Sequence, residues 1–188
     1  IRSTQTALSR TLQVREQRQG IGFMSSHLDE LNYEIRSPDA ITDLLEVNRW
    51  MQELNWANIN QFSRFLKFYT AAPDQIIFAE QDESTYLSLI VEGSVDIFKA
   101  DKQDEQRRLV TLTSGQAFGE MVLIGSANRS ASAKATADTS LLVLDTDSFE
   151  DLCMEFPDLG LVVVRRIARD LSNRLRLSSG ILVDYLHE

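Results

Sequence analysis

A chain of 188 residues, 43% hydrophobic and 25% charged, is long enough for one domain with an extension and apolar enough for a sizeable core, which excludes a disordered chain. A single cysteine, Cys153, and two histidines, His27 and His187, exclude an internal disulfide and a four-ligand Cys/His zinc centre, and no metal is expected. A formal net charge of −9 excludes a chain-wide grip on nucleic acid, and the longest apolar run, Leu159 to Val164, falls far short of the roughly 20 residues of a bilayer span, so neither direct nucleic acid binding nor a transmembrane segment is expected.

Charge is unevenly placed. Residues 1–20 hold Arg2, Arg10, Arg15 and Arg18 against Glu16, a net +3 that leaves −12 for the rest. A solvated helical face is the plain reading of this stretch, and docking to an acidic surface or membrane headgroups the sharper one. Gly20-Ile21-Gly22 is not a dinucleotide loop, because Ser25 occupies the third glycine position and no strand pattern precedes it. Up to about residue 70 the chain reads as helical, with apolar spacing at Ile41, Leu44, Leu45, Val47 and at Trp50, Met51, Leu54. Ser37-Pro38-Asp39 marks a helix start, with a cap residue followed by proline in the first turn.

From Gln75 to Leu144 the texture changes to short runs of β-branched and aromatic residues between turn signals: Gln75–Phe78, Leu87–Val91, Ser94–Lys99, Leu109–Leu112, Ser132–Ala135 and Leu141–Leu144. No helical run separates them, which predicts an antiparallel roll and not a parallel sheet with crossover helices. Asp101–Arg108 reads as a solvated hairpin tip.

After Leu144 the helical period returns. Asp147 with Glu150 is the expected capping pair of a short helix that Pro157 ends; Asp158 opens a longer one, with a stripe of Val164, Ala168, Leu171, Leu175 and Leu182 that Gly180 should weaken or end. Cys153 and Met154 read as apolar helix packing. The expected fold class is α+β: an antiparallel, jelly-roll-like β-roll of about eight strands with an N-terminal helical region and two C-terminal helices. Its parts are an N-terminal helical extension over 1–60, the roll over 61–146 and the C-terminal helices over 147–188. With no basic-plus-apolar leader, the expected location is the cytoplasm, or the cytosolic portion of a larger protein.

Three of the eight glycines fall within residues 115–125. There Gly119-Glu120-Met121-Val122 combines a glycine with a short apolar helical turn, whose free backbone N–H groups suit one phosphate. Arg129 follows nine residues after Glu120 and can converge on the same anion, while Glu120 supplies an acceptor for a hydroxyl. An anion beside a hydroxyl describes a nucleotide sugar phosphate. The alternative without ligand is an ion pair of Glu120 with Arg129 closing a surface turn.

Phe118-Gly119-Glu120 followed by Arg129-Ser130-Ala131 resembles the phosphate-binding cassette of cyclic nucleotide-binding domains, as in kinase regulatory subunits, the catabolite activator protein and cyclic-nucleotide-gated channels. The likeness extends over about residues 62–178, through Gly93, Leu109, Leu112 and Gly115 upstream and Ala133, Ala135, Leu144, Phe149, Leu152 and Pro157 downstream. It implies a non-enzymatic regulatory module that binds a cyclic purine mononucleotide, cAMP ahead of cGMP, and relays a C-terminal helix rearrangement to an attached or partner output module. The alternative is a ligand-free assembly domain on a degenerate fold. The resemblance assigns Glu120 to the ribose 2′-hydroxyl, Arg129 to the phosphate, Gly119, Met121 and Val122 to backbone positioning, Ser130 to the phosphate or a guanine edge, and Phe118 and Ala131 to the same cassette. Counting forward without gaps puts Arg174 near the base, where it could stack on a purine. A homodimer through the C-terminal or N-terminal helices is a further expectation. Asp74 and Gln81 stand where the family commonly has glycine, Ser88 where tyrosine is frequent, and Asn128 where proline often precedes the arginine; Gln81 is the poorest substitute, so its turn is expected to differ.

Overall fold

The run Leu141–Leu144, and Tyr86–Val91 apart from Ser88, carry apolar residues at successive positions, so their strands demand cover on both faces. The computed structural model, which describes residues 27–52, 54–125 and 128–185 with side chains to residue 180, supplies that cover from two sides. The basic segment 1–20, Gly20-Ile21-Gly22 and the Leu182 side chain lie outside the described residues.

Nine strands form two antiparallel sheets among the described residues. One has the order β1 (Asn32–Glu34), β2 (Lys67–Ala71), β9 (Thr139–Asp145), β4 (Tyr86–Glu92), β7 (Ala117–Phe118); the other has β3 (Ile76–Phe78), β8 (Ser132–Ala135), β5 (Ser94–Ala100), β6 (Gln106–Thr113). The expected antiparallel roll is present. Two strands lie in the part read as helical: β1 pairs with β2, and β2 with β9, so cross-strand bonds override the local helical composition there. The hairpin tip is also shorter than expected, because Arg107 and Arg108 already belong to β6 and the turn is held by Asp101, whose Oδ1 accepts the N–H groups of Gln103 at 2.9 Å and Glu105 at 3.0 Å.

Between the sheets, Tyr86 and Ile90 of β4 meet Leu141 and Val143 of β9, Ile77, Phe78 and Phe118 in the interior of the roll. Alternate residues, Leu87, Leu89, Leu142 and Leu144, face the other way and are covered by helices. Those are α2 (Pro38–Glu46), a 3-10 turn (Arg49–Met51), α3 (Trp56–Ser63), α5 (Thr146–Glu155) and α6 (Pro157–Tyr185), while α1 (His27–Glu30) and α4 (Met121–Ile124) are single turns. Helix α2 starts as read, with Ser37 Oγ accepting Ala40 N–H and Pro38 in the first turn.

Three C-terminal details differ from expectation. The cap of α5 is Asp145 and not Asp147: its Oδ1 accepts Ser148 N–H at 2.8 Å while Oδ2 takes Lys67 Nζ at 2.7 Å, because the chain leaves β9 in extended conformation one residue before the helix. Gly180 does not end α6, which continues to Tyr185; a glycine costs a helix only about 1 kcal/mol and the flanking residues carry it through. The core face of α6 is Leu159, Val163 and Ile167 with Leu171, whereas Ala168 and Leu175 of the expected stripe are exposed. The helix has two apolar faces, and periodicity alone does not say which one packs.

The turns at Asp74 and Gln81 keep the backbone a glycine would supply, with φ of 66° and 71°. The expected change at Gln81 is absent because the turn is bonded on both sides: Gln81 N–H donates to Arg129 O at 2.8 Å, and Asn128 Nδ2 to Gln81 O at 3.0 Å. These bonds offset the left-handed strain of a side-chain-bearing residue.

Candidate functional site

The chain leaves β7 at Phe118, reverses at Gly119 and enters α4. Gly119 has φ +75°, and a Cβ there would lie 2.4 Å from Arg129 Nη1, so glycine is required both for the turn and for the arginine beside it. The Gly119 carbonyl accepts Arg129 Nη1 at 2.8 Å, and Nε donates to Ser84 Oγ at 3.0 Å. The guanidinium packs against two rings, its carbon 3.9 Å from the centroid of Phe78 and 4.3 Å from that of Tyr86. Cation–π contacts in such a desolvated setting contribute about 2 kcal/mol. Arg129 is only 2% exposed, and its Nη2 is buried with no hydrogen-bond partner. Burial pushes its pKa down to about 10, against Tyr86, Asp82 and Glu120, which favour the cation, and it stays charged at neutral pH.

Glu120 is equally enclosed, at 2% exposure. Its Oε1 accepts Arg174 Nη1 from α6 at 2.7 Å, and Oε2 is buried without a partner. Burial raises its pKa, opposed chiefly by Arg174 and also by Arg129, while Asp170 on α6 adds to the rise. Arg129 donates to Ser84 and Gly119 while Glu120 pairs with Arg174, so the closed ion pair between the two cassette residues is not what the fold forms.

The structure brings the nine residues that the resemblance assigned to the site to one pocket: Phe118, Gly119, Glu120, Met121, Val122, Arg129, Ser130, Ala131 and Arg174 all line it. Phe118 and Val122 are buried, Met121 is half exposed, and the Ser130 hydroxyl lies 3.5 Å from Met121 Sδ. Arg174 arrives with its guanidinium on Glu120 Oε1 and on the Ala117 carbonyl. Sequence reasoning missed Phe78 and Ile97, which also line the pocket, and Ser84, Tyr86 and Lys99, which hold the arginine segment: Lys99 Nζ donates to Ser130 O at 2.6 Å and to Glu80 Oε1 at 2.7 Å. The signal for Phe78 and Tyr86 was limited to apolar strand positions, and nothing local marks a ring as the face for a distant arginine. Among the described residues no group of three or more His, Cys, Asp or Glu could hold a metal ion, and no helix is long and apolar enough to cross a membrane.

Residues 70–156 match the family profile described as Cyclic nucleotide-binding domain. The chain is 36% identical over 100 residues to the Cyclic AMP receptor protein of Thermus thermophilus, which covers 53% of this chain and 44% of that protein. It is 26% identical over 127 residues to a cGMP-dependent protein kinase of Plasmodium berghei, covering 68% of this chain and 14% of the kinase. The chain thus spans less than half the length of these two curated relatives. Among solved structures, a cyclic nucleotide-binding domain from Methylobacillus flagellatus shares the fold with a TM-score of 0.72 at 24% identity, over 82% of this chain and 89% of that one.

Proposed function

Residues 70–156 belong to the cyclic nucleotide-binding domain family, and from that premise we propose that the pocket binds a cyclic purine mononucleotide as a regulatory ligand. The observation that carries the proposal is the pair of orphaned atoms: Arg129 Nη2 and Glu120 Oε2 are buried without a partner, and both belong to residues that line one pocket. Leaving a buried charged group unsatisfied costs about 1–3 kcal/mol or more, which a ligand that is both anion and hydroxyl donor relieves. In this reading Arg129 pairs with the cyclic phosphate, the first backbone N–H groups of α4 at Met121 and Val122 complete the anion site, and Glu120 accepts the ribose 2′-hydroxyl. Phe118, Gly119, Ser130 and Ala131 shape the wall, and Ser130 has a hydroxyl within the cassette for the phosphate or a guanine edge. The order cAMP before cGMP is supported by the Cyclic AMP receptor protein, 36% identical, standing above the cGMP-dependent kinase at 26%.

In this reading the module is regulatory and not catalytic, and the pocket serves to hold the nucleotide. Its output is the position of α6, which reaches the pocket through Arg174 and carries outward-facing Leu161 and Leu175 as the surface for a second copy or an attached module. A ligand shifts such an equilibrium only by contacts that differ between two arrangements of the helix. Titration calorimetry of the whole chain with cAMP and with cGMP tests the proposal, 5′-AMP serving as the open-phosphate control. Binding of a cyclic nucleotide at least tenfold tighter than 5′-AMP is expected; absence of binding by both cyclic nucleotides would sink the reading and leave an assembly domain.

A further inference from the structure

Counting along the chain places Arg174 over the base, yet its guanidinium is turned elsewhere. Nη1 donates to Glu120 Oε1 at 2.7 Å, and Nη2 donates to the Ala117 carbonyl at the end of β7. Both ends of the planar fork are therefore spent on the cassette. The carboxylate it grips has two oxygens with different fates: Oε1 is taken by Arg174, and Oε2 is buried, unpartnered and part of a residue that lines the pocket.

We infer that Arg174 is a positioning residue for the sugar, acting through Glu120: by holding Oε1 it orients the carboxylate so that Oε2 is free for the ribose 2′-hydroxyl, and it does not read the base. The inference rests on the reading of the pocket as a cyclic nucleotide site and goes beyond it. The ion pair persists when ligand enters, because the hydroxyl needs the oxygen that Arg174 leaves. It follows that the link between α6 and ligand runs through the ribose, and that discrimination between purines is left to other residues. The same contact keeps Glu120 ionised. Burial favours the protonated acid and Asp170 of α6 adds to this, while Arg174 of the same helix and Arg129 of the 128–131 segment oppose it. Without Arg174 the carboxyl takes up its proton at higher pH, and a protonated acid is the weaker acceptor.

The test is calorimetry of the full chain with cAMP and 2′-deoxy-cAMP, on wild type, Arg174→Met, Arg174→Lys and Glu120→Gln. A charge-assisted bond to the 2′-hydroxyl predicts that wild type binds cAMP about ten- to hundredfold tighter than the deoxy analogue. In Arg174→Met this ratio should shrink to a few-fold, with an intermediate value in Arg174→Lys, which restores charge but not the two-point fork. In a Glu120→Gln background, Arg174→Met should change the ratio no further. Acidification should weaken cAMP binding by Arg174→Met at a higher pH than it does for wild type, which a merely structural role of the side chain would not produce. Equal loss of cAMP and 2′-deoxy-cAMP in Arg174→Met, with the ratio kept, would overturn the inference and return Arg174 to the base or phosphate. Equal affinity of wild type for the two nucleotides would overturn it as well, whereas failure of wild type to bind either one removes the underlying reading and this inference with it.

Discussion

Two arginines meet at the pocket and are held in opposite ways. Arg129 is 2% exposed, bonded to Ser84 and Gly119 and stacked against Phe78 and Tyr86, residues from the interior of the roll. The Arg174 side chain is 41% exposed and comes from one helix, whose next residues, Leu175 and Leu177, are 68% and 70% exposed. The difference teaches where the site is built and where it can respond. A guanidinium buried and held by several partners is preorganised and loses little freedom on binding, so it supplies affinity. A guanidinium on a thinly packed helix end belongs to the part of low local stability, from which moving elements are drawn. The helix is anchored just before that end, where Trp50 Nε1 donates to Asp170 Oδ2 at 2.9 Å, one turn ahead of Arg174.

The comparison breaks most directly at Arg129. Arg129→Ala should weaken cyclic nucleotide binding by about 2–5 kcal/mol, since a desolvated phosphate is left without its cation. Calorimetry giving an affinity within threefold of wild type would place the phosphate elsewhere. Next is Gly119→Ala, which sets a methyl 2.4 Å from Arg129 Nη1 at a φ of +75°. A loss of about 1–2 kcal/mol in urea denaturation is expected from the left-handed backbone alone, together with at least tenfold weaker binding as the guanidinium is displaced. An unchanged affinity would mean that Arg129 is less firmly seated than its partners imply.

On the helix side, Trp50→Phe keeps the stacking on Phe62, where ring centroids are 6.3 Å apart, and removes the donor to Asp170. The expected cost is about 1 kcal/mol in denaturation, with faster amide exchange around residues 166–174 and little change at β4. Exchange that quickens equally in the roll would erase the contrast between the two regions. The smallest effect is expected at Gly180→Ala, where a Cβ meets nothing within 4 Å in the exposed part of α6. Stability should rise by about 0.5–1 kcal/mol, with cyclic nucleotide affinity unchanged within twofold.

How much of this could be read in advance follows the range of each interaction. The strands at 94–99, 132–135 and 141–144 were legible because their apolar patterns and turn signals are local, and so was the start of α2 at Ser37-Pro38. The cassette was legible for the same reason: Gly119, Glu120 and Arg129 lie within eleven residues, and their chemistry is bound to residue type. By contrast, β1 and β2 are defined by pairing with each other and with β9, and their composition alone looked helical. Asp145 displaced Asp147 as cap because the end of β9 decides where the helix can begin.

The amino-acid sequence by itself determined the roll, its glycine turn and the two charges of the pocket, because backbone preference and side-chain charge are properties of single residues and their near neighbours. Tertiary structure decided how those charges are spent. Arg129 was seated on rings 43 and 51 residues away in Tyr86 and Phe78, and Glu120 was given Arg174, 54 residues distant, as the holder of one oxygen. It also chose Leu159, Val163 and Ile167 over the other apolar face of α6. Each of these outcomes depends on which surfaces meet when the sheets close, and a one-dimensional pattern carries the capacity for a contact without its partner.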